Sequence, residues 1–253
     1  MLVLLSPSKK LDKLTPPKGA KPTQPELMGE GKALVNVLKR HSKDQIKNLM
    51  HLSDNLAELN FQRYQDFKLP LTEDNAHPAL FTFKGDVYDN MAVESYSADD
   101  LEFAQKHVRM LSGLYGVLRP LDLMQPYRLE MGTKLENSRG ANLYKFWGDH
   151  ITNALNGDKP SVIVNLASNE YFKAVKPKGL KAPVINIDFK QIKGGKAKTI
   201  GLMAKRARGM MADFIIKKRI TDVEKLKTFN EGGYSYDADA STESNLVFKM
   251  KMA

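Results

Sequence analysis

Two glycines three residues apart, Gly113 and Gly116, lie between two segments whose patterns predict helices. The first predicted helix ends at Gly113, and Arg119-Pro120 is typical of the first turn of the second. Glycines in such a corner permit positive φ, and the exposed N–H groups beside a helix N-terminus can hold a phosphate. The spacing therefore predicts a helix–hairpin–helix element within residues 97–128 that contacts a nucleic-acid backbone.

Three arginines in or beside this stretch, Arg109, Arg119 and Arg128, could add bidentate contacts to phosphate. Such contacts position a backbone without reading bases, so the predicted binding has little sequence preference. The same helix–Gly-x-x-Gly–helix pattern also occurs as a plain structural corner. Both interpretations stay open at this point.

The basic residues are concentrated late in the chain. The net charge is +10 over 253 residues, yet residues 173–227 alone carry sixteen Lys and Arg against four Asp and Glu. A localised cationic field of this kind attracts a polyanion, although a solvated lysine surface has the same composition. Within the segment, a predicted helix over residues 203–219 presents Lys205, Arg206 and Arg208 away from its apolar stripe. These three side chains are the predicted lining of a DNA-binding groove.

Polar side chains also follow two predicted strands. Ser6 and Lys9 come after one, and Asn165, Ser168 and Glu170 end or follow another. Sites in α/β sheets collect at the carboxyl ends of strands, so a small-molecule or catalytic pocket is the rival hypothesis. The competing interpretation is local: Ser168 would act as a helix N-cap.

Several classes of site are excluded or not predicted. The chain has no cysteine, which excludes disulfides, thiolate metal sites and cysteine nucleophiles. No two of its five histidines have metal-ligand spacing, and we predict neither a metal site nor a cofactor. The apolar start Met1–Leu5 is too short for a signal peptide or a membrane span, so we expect a cytoplasmic protein without membrane contact. No feature predicts a protein partner.

The pattern of elements favours one mixed α/β domain over residues 1–253. Strands are predicted at residues 1–5 and 161–165, a hairpin around Lys193-Gly-Gly-Lys196, and two more strands near 233–237 and 245–250. Helices are predicted at residues 26–41, after Ser42, after Ser53, and from Ser97. We therefore expect a mixed sheet with surrounding helices.

Much of the chain resembles the YaaA family of peroxide-stress proteins, also called uncharacterised family 0246. The matching blocks span nearly the whole length: Leu5–Lys9, Phe83–Tyr88, Arg109–Gly132, Phe146–Asp149, Asn165–Ser168, Glu170–Lys173, Ala204–Gly209, Phe229-Asn230 and Leu246–Lys249. The resemblance implies a compact α/β fold with a helix–hairpin–helix element and a positively charged DNA-binding groove. It also implies induction by hydrogen peroxide, lower free intracellular iron and less oxidative DNA damage.

The expected function is therefore that of a non-enzymatic, DNA-binding peroxide-stress protein. Its expected contacts are Arg109, Gly113, Gly116, Arg119, Arg128, Lys205, Arg206 and Arg208. The alternative is an enzyme that acts on a nucleic acid or a phosphorylated small molecule. Its expected pocket contains Ser6, Lys9, Asn165, Ser168 and Glu170.

Overall fold

The computed structural model describes residues 1–252. Its strands are β1 (Leu2–Leu5), β2 (Lys10–Leu11), β3 (His77–Pro78), β4 (Phe83–Lys84), β5 (Val108–Ser112), β6 (Gly116–Leu118), β7 (Leu123–Met124), β8 (Ile163–Asn165), β9 (Val184–Lys193), β10 (Lys196–Lys198), β11 (Ser235–Thr242) and β12 (Asn245–Lys251). Its α-helices are α1 (Met28–Leu38), α2 (Lys43–Met50), α3 (Asp54–Asp66), α4 (Ala98–His107), α5 (Leu143–Trp147), α6 (His150–Gly157), α7 (Asn169–Phe172) and α8 (Gly201–Lys217).

The main sheet is built around the apolar start of the chain. Its strand order is β11-β12-β9-β8-β1-β5-β6, and β10 also pairs with β9. The five strands from β12 to β5 are parallel, while β11 and β6 are antiparallel to their neighbours. Because β1 lies in the middle, its four residues are buried on both faces, as expected for a central parallel strand.

Helices and their caps follow the sequence signals closely. Ser42 with Gln45, and Ser97 with Asp100, form reciprocal capping boxes at the starts of α2 and α4. Helix α4 contacts β1, β5 and α8, and α8 also packs against β9. One hydrophobic core extends from Met1 to Phe248, so the mixed α/β fold and its single domain are confirmed.

Strand β9 is much longer than β8, and this difference shapes one edge of the sheet. The partner β12 runs along one edge of β9 from Asn186 to Ile192, so β8 and β10 must share the other edge. On that edge β8 pairs with residues 184–186 and β10 pairs with residues 191–193. The β9–β10 hairpin therefore extends beyond the carboxyl end of β8, where the sequence predicted a hairpin.

The predicted helix–hairpin–helix element is wrong. Helix α4 ends at His107, and the next residues form β5, which pairs with β1 on one side and β6 on the other. Gly113 begins the turn of this β-hairpin and Gly116 begins β6 directly after it; within the turn, the Ser112 hydroxyl accepts hydrogen bonds from the N–H groups of Leu114 and Tyr115. No second helix follows Arg119 before residue 143.

The error has a physical cause. Leu101, Ala104, Val108 and Leu111 have helical spacing, but residues 108–112 are buried on every side and fit a central strand equally well. Periodicity cannot separate these two cases for a short apolar run. Pairing with the central strand β1, which is distant in sequence, decided the outcome.

Candidate functional site

A pocket of about 440 Å³ lies where the central parallel strands end. The segments that follow β1, β4, β7 and β8 form most of its wall, and α8 closes one side. Crevices at the carboxyl ends of parallel strands are the usual ligand sites of α/β sheets. Its lining side chains that can donate, accept or carry charge are Ser6, Ser8, Lys9, Lys10, Asp86, Asp89, Tyr127, Arg128, Glu130, Ser168, Glu170, Tyr171, Lys205 and Arg208.

The two serines at the strand ends bond to each other rather than to a helix. Ser168 stands at the N-cap position of α7, but its side chain makes no capping bond. Its backbone N–H donates to Ser6 Oγ at 2.8 Å, and the two hydroxyl oxygens are 3.3 Å apart. Ser168 therefore occupies the predicted N-cap position without a side-chain capping bond, and both serines line the pocket.

Asn165 supports this arrangement from behind. Its Nδ2 donates to Asn186 Oδ1 at 2.9 Å, and its Oδ1 accepts from the N–H of Ala167 at 3.0 Å. The side chain is 6% exposed and does not line the pocket. It fixes the turn that carries Ser168 instead of contacting a ligand.

Two glutamates hold the pocket wall in different ways. Lys9 Nζ pairs with Glu130 at 2.7 Å, and an Arg128 nitrogen lies 3.6 Å from the other oxygen of the same carboxylate. Glu170 accepts the backbone N–H of Gly132 at 2.9 Å. Both carboxylates thus have partners within the protein, and these contacts fix the pocket wall.

Two arginines reach the pocket with donors that the protein does not use. The Nε atoms of Arg128 and Arg208 are buried and lack a hydrogen-bond partner among residues 1–252. Burial lowers the pKa of the Arg208 guanidinium from its ordinary value, while the nearby carboxylate of Asp188 acts in the opposite direction. An unpaired buried donor costs stability, and both guanidinium groups belong to residues of the pocket wall, where a guanidinium can bind an anion.

The pocket is not uniformly basic. Five lysines and arginines line it together with four aspartates and glutamates. A lining of this kind suits a ligand that combines an anionic group with hydrogen-bonding groups. The anionic group of such a ligand would lie toward Arg128, Lys205 and Arg208.

Three of the predicted contact residues lie in the core, away from the pocket. Gly113 and Gly116 are buried, and an added Cβ would come within 2.2 Å of the Leu129 carbonyl oxygen and 2.7 Å of the Trp147 ring, respectively. Arg109 is 6% exposed and forms two hydrogen bonds to Asp158. These glycines and this arginine are parts of the core and cannot form a phosphate-binding surface.

Arg119 and Arg206 are also outside the pocket, for different reasons. Arg119 bonds through its backbone and side chain to Asp122 and closes the turn after β6. Arg206 is exposed on α8, next to Lys205 at the pocket wall. The structure thus brings Ser6, Lys9, Ser168 and Glu170 together with Arg128, Lys205 and Arg208.

Several residues of the pocket were not predicted from the sequence. Asp86 and Asp89 lie in the segment after β4, and Tyr127 and Glu130 lie on either side of Arg128 and Leu129. All but Asp89 fall inside blocks that carry the family resemblance, which was the available signal. Their proximity to Ser6 depends on pairings between distant parts of the chain, which local patterns do not reveal.

No helix within residues 1–252 is long and apolar enough to cross a membrane. In the same residues, no group of three or more histidine, aspartate or glutamate side chains could hold a metal ion.

Comparison with known protein families gives one match. The family model described as "Peroxide stress protein YaaA" matches residues 1–240, which is nearly the whole chain. The match includes every residue that lines the pocket and four of the five parallel strands, while β12 lies beyond it. The chain therefore belongs to the YaaA family of peroxide stress proteins.

Proposed function

We propose that the chain binds DNA through its phosphate backbone, at the pocket and along the adjoining surface of α8. The observation that carries the proposal is the convergence of Arg128, Lys205 and Arg208 on one pocket at the carboxyl ends of the parallel strands. Guanidinium groups match phosphate oxygens in geometry and in charge.

The surface beside the pocket supports the same ligand. Lys205 lies at the pocket wall and the neighbouring Arg206 is exposed on α8. Neither takes part in an ion pair within residues 1–252, so both charges are available to phosphates outside the pocket. Backbone contacts of this kind give binding with little sequence preference.

A charge reversal on α8 tests the proposal. We expect Lys205→Glu with Arg206→Glu to lower affinity for a 24-base-pair duplex about tenfold or more, and to reduce the slope of log K against log[salt] by about 1.8. Both side chains are exposed, so the fold should not change. Titration of fluorescent duplex at several salt concentrations measures both quantities.

The matched control is Lys178→Glu with Lys181→Glu. These exposed lysines precede β9, at the opposite end of the sheet from the pocket, and give the same change in net charge. Equal losses of affinity in the two double variants would contradict a specific role for the pocket side.

The proposal also includes the lowering of free intracellular iron that the family resemblance implies. We expect that this effect follows from the DNA-bound protein. In cells exposed to peroxide, electron paramagnetic resonance of chelated iron should show higher free iron with the Lys205→Glu, Arg206→Glu variant than with the unaltered chain. Equal iron levels would separate the iron effect from DNA binding.

A second candidate function is supported by a specific observation. Ser6, Lys9, Ser168 and Glu170 converge on the pocket that also holds the arginines, which is the arrangement expected of an enzyme acting on a nucleic acid or a phosphorylated small molecule. Incubation with DNA and with nucleotides, followed by mass spectrometry, would reveal a product. Loss of that product in Lys9→Ala and Glu170→Gln, with DNA affinity retained, would favour the enzymatic function.

A further inference from the structure

The β9–β10 hairpin carries a set of lysines that the pocket does not use. Lys193, Lys196 and Lys198 are exposed, and the Gly194-Gly195 turn with positive φ at both positions joins the two strands. None of the three lysines forms an ion pair in the described part of the chain. The hairpin is therefore a source of uncompensated positive charge.

All three lysines lie on one face of the hairpin. Lys196 is the register partner of Lys193, and Lys198 is the partner of Gln191. Alternate residues of a strand share a face and register partners lie side by side, so Gln191 and these lysines point the same way. Gln191 accepts a hydrogen bond from the N–H of Ile200, directly before α8. The lysines thus share the face on which α8 begins.

The same hairpin lies at the pocket end of the sheet. The strand β8 stops at Asn165, opposite Asn186, and β9 continues for seven more residues to Lys193. At about 3.3 Å per residue, this continuation reaches roughly 23 Å beyond the end of β8. A row of positive charge therefore continues from the pocket and α8 along the hairpin.

The arrangement is unfavourable for the isolated protein. Like charges directly opposite each other on paired strands destabilise the pairing, and Lys193 and Lys196 are such a pair. A polyanion lying along this face would remove the repulsion. The row of lysines fits a ligand with repeated phosphates better than it fits one small anion.

We propose that the lysine hairpin, residues 190–198, is a second DNA-contact arm that binds phosphates beyond those at the pocket. The inference rests on the proposed function, and it adds the path that a longer duplex takes across the molecule. An extended arm of this kind contributes through released counterions, so its effect grows with DNA length and falls with salt.

The test compares two DNA lengths. For the triple variant Lys193→Glu, Lys196→Glu, Lys198→Glu, we expect at least tenfold weaker binding of a 24-base-pair duplex and a salt slope lower by about 2.7. Binding of a 6-base-pair duplex should change less than twofold, because so short a duplex, about 20 Å long, does not cover both the pocket and the arm.

The matched control makes the same change in net charge at the other end of the sheet. Lys159, Lys178 and Lys181 are exposed and precede β8 or β9, so their triple substitution by Glu should leave the binding of both duplexes nearly unchanged. If the hairpin variant binds the long duplex as well as the unaltered chain, while Lys205→Glu with Arg206→Glu weakens it, the arm is disproved and the proposed function stands. If the unaltered chain does not bind the long duplex, both are disproved.

A second experiment does not depend on the triple variant folding. Because the chain has no cysteine, Lys196→Cys offers a single attachment point for a photocrosslinker on the lysine face of the hairpin. We expect crosslinks to the 24-base-pair duplex from residue 196 and only background from Lys178→Cys at the opposite end. Equal yields from the two positions would overturn the proposal.

Discussion

At the scale of single residues, Arg208 has an unpaired buried donor, which lowers the stability of the fold, and a side chain that lines the pocket. Its guanidinium is largely removed from water, and its Nε has no protein partner among residues 1–252. Groups selected for stability alone are normally paired when buried. The Arg208 side chain also lines the pocket, where a guanidinium can bind an anion.

We therefore predict how Arg208→Met changes the melting temperature and the affinity for DNA. Methionine keeps most of the apolar stem and removes the buried donor, so the melting temperature should stay within about 3 °C of the unaltered value or rise. Affinity for duplex DNA should fall about tenfold, as expected when a charged hydrogen bond is lost. Thermal unfolding followed by circular dichroism and a binding titration on the same sample check both parts. A large fall in melting temperature would show that Arg208 is structural.

Several single residues of the pocket could also be predicted from the sequence. Ser6, Lys9, Ser168 and Glu170 were found because each ends or follows an apolar strand, and strand ends of a parallel sheet meet. Asn165 follows the same rule but points away from the pocket, since a backbone N–H and Asn186 bind its amide. Position at a strand end was predictable, whereas side-chain direction was not.

At the scale of elements, the β5–β6 hairpin places a pocket wall. Gly113 lies directly against the backbone of Leu129 and Glu130, which line the pocket. Only a residue without a Cβ permits this approach, so the glycine that suggested phosphate binding acts by letting two chain segments pack closely. The residue was informative, but its role depends on a contact with a segment sixteen residues away.

Gly113→Ala should therefore destabilise the protein. The added methyl group would meet the Leu129 carbonyl oxygen at 2.2 Å, and overpacking of this kind costs about 3 kcal/mol. Gly157→Ala is the control, because that glycine ends α6, has nothing within 4 Å of an added Cβ, and should gain about 0.5 kcal/mol. Urea unfolding measures both, and similar values for the two variants would contradict the close approach at Gly113.

Elements differed in how well the sequence predicted them. Helix α8 was predicted within two residues at each end, and the Gly194-Gly195 hairpin was predicted at its turn, because both depend on local signals. Strand β5 was predicted as helix because its pairing with β1 joins residues more than a hundred positions apart. Local patterns predict elements that local interactions determine.

At the scale of the whole molecule, the pocket joins segments from all three thirds of the chain. Lys9 contacts Glu130, Ser6 contacts Ser168, and Arg208 enters from α8. A ligand that binds there stabilises the folded state, since these segments separate on unfolding.

Duplex DNA should consequently raise the melting temperature. At a ligand concentration one hundred times the dissociation constant, binding adds about 2.7 kcal/mol, which for a chain of this size corresponds to roughly 5–10 °C. The shift should shrink at high salt and be smaller for the Lys205→Glu, Arg206→Glu variant. Differential scanning fluorimetry with a DNA titration is sufficient, and an equal shift in both proteins would argue against α8 as a contact.

The unequal lengths of β8 and β9 also determine which insertions this architecture tolerates. Three residues of β8 lie beside the first three of ten in β9, so the sheet has a step at the pocket. Residues inserted after Asn165 would extend β8 along the free edge of β9 while the core stays intact. Because they would fill the step, they would also fill the pocket that lies there. Natural length variation should therefore be rare between Asn165 and Ser168 and should accumulate at the Gly194-Gly195 turn.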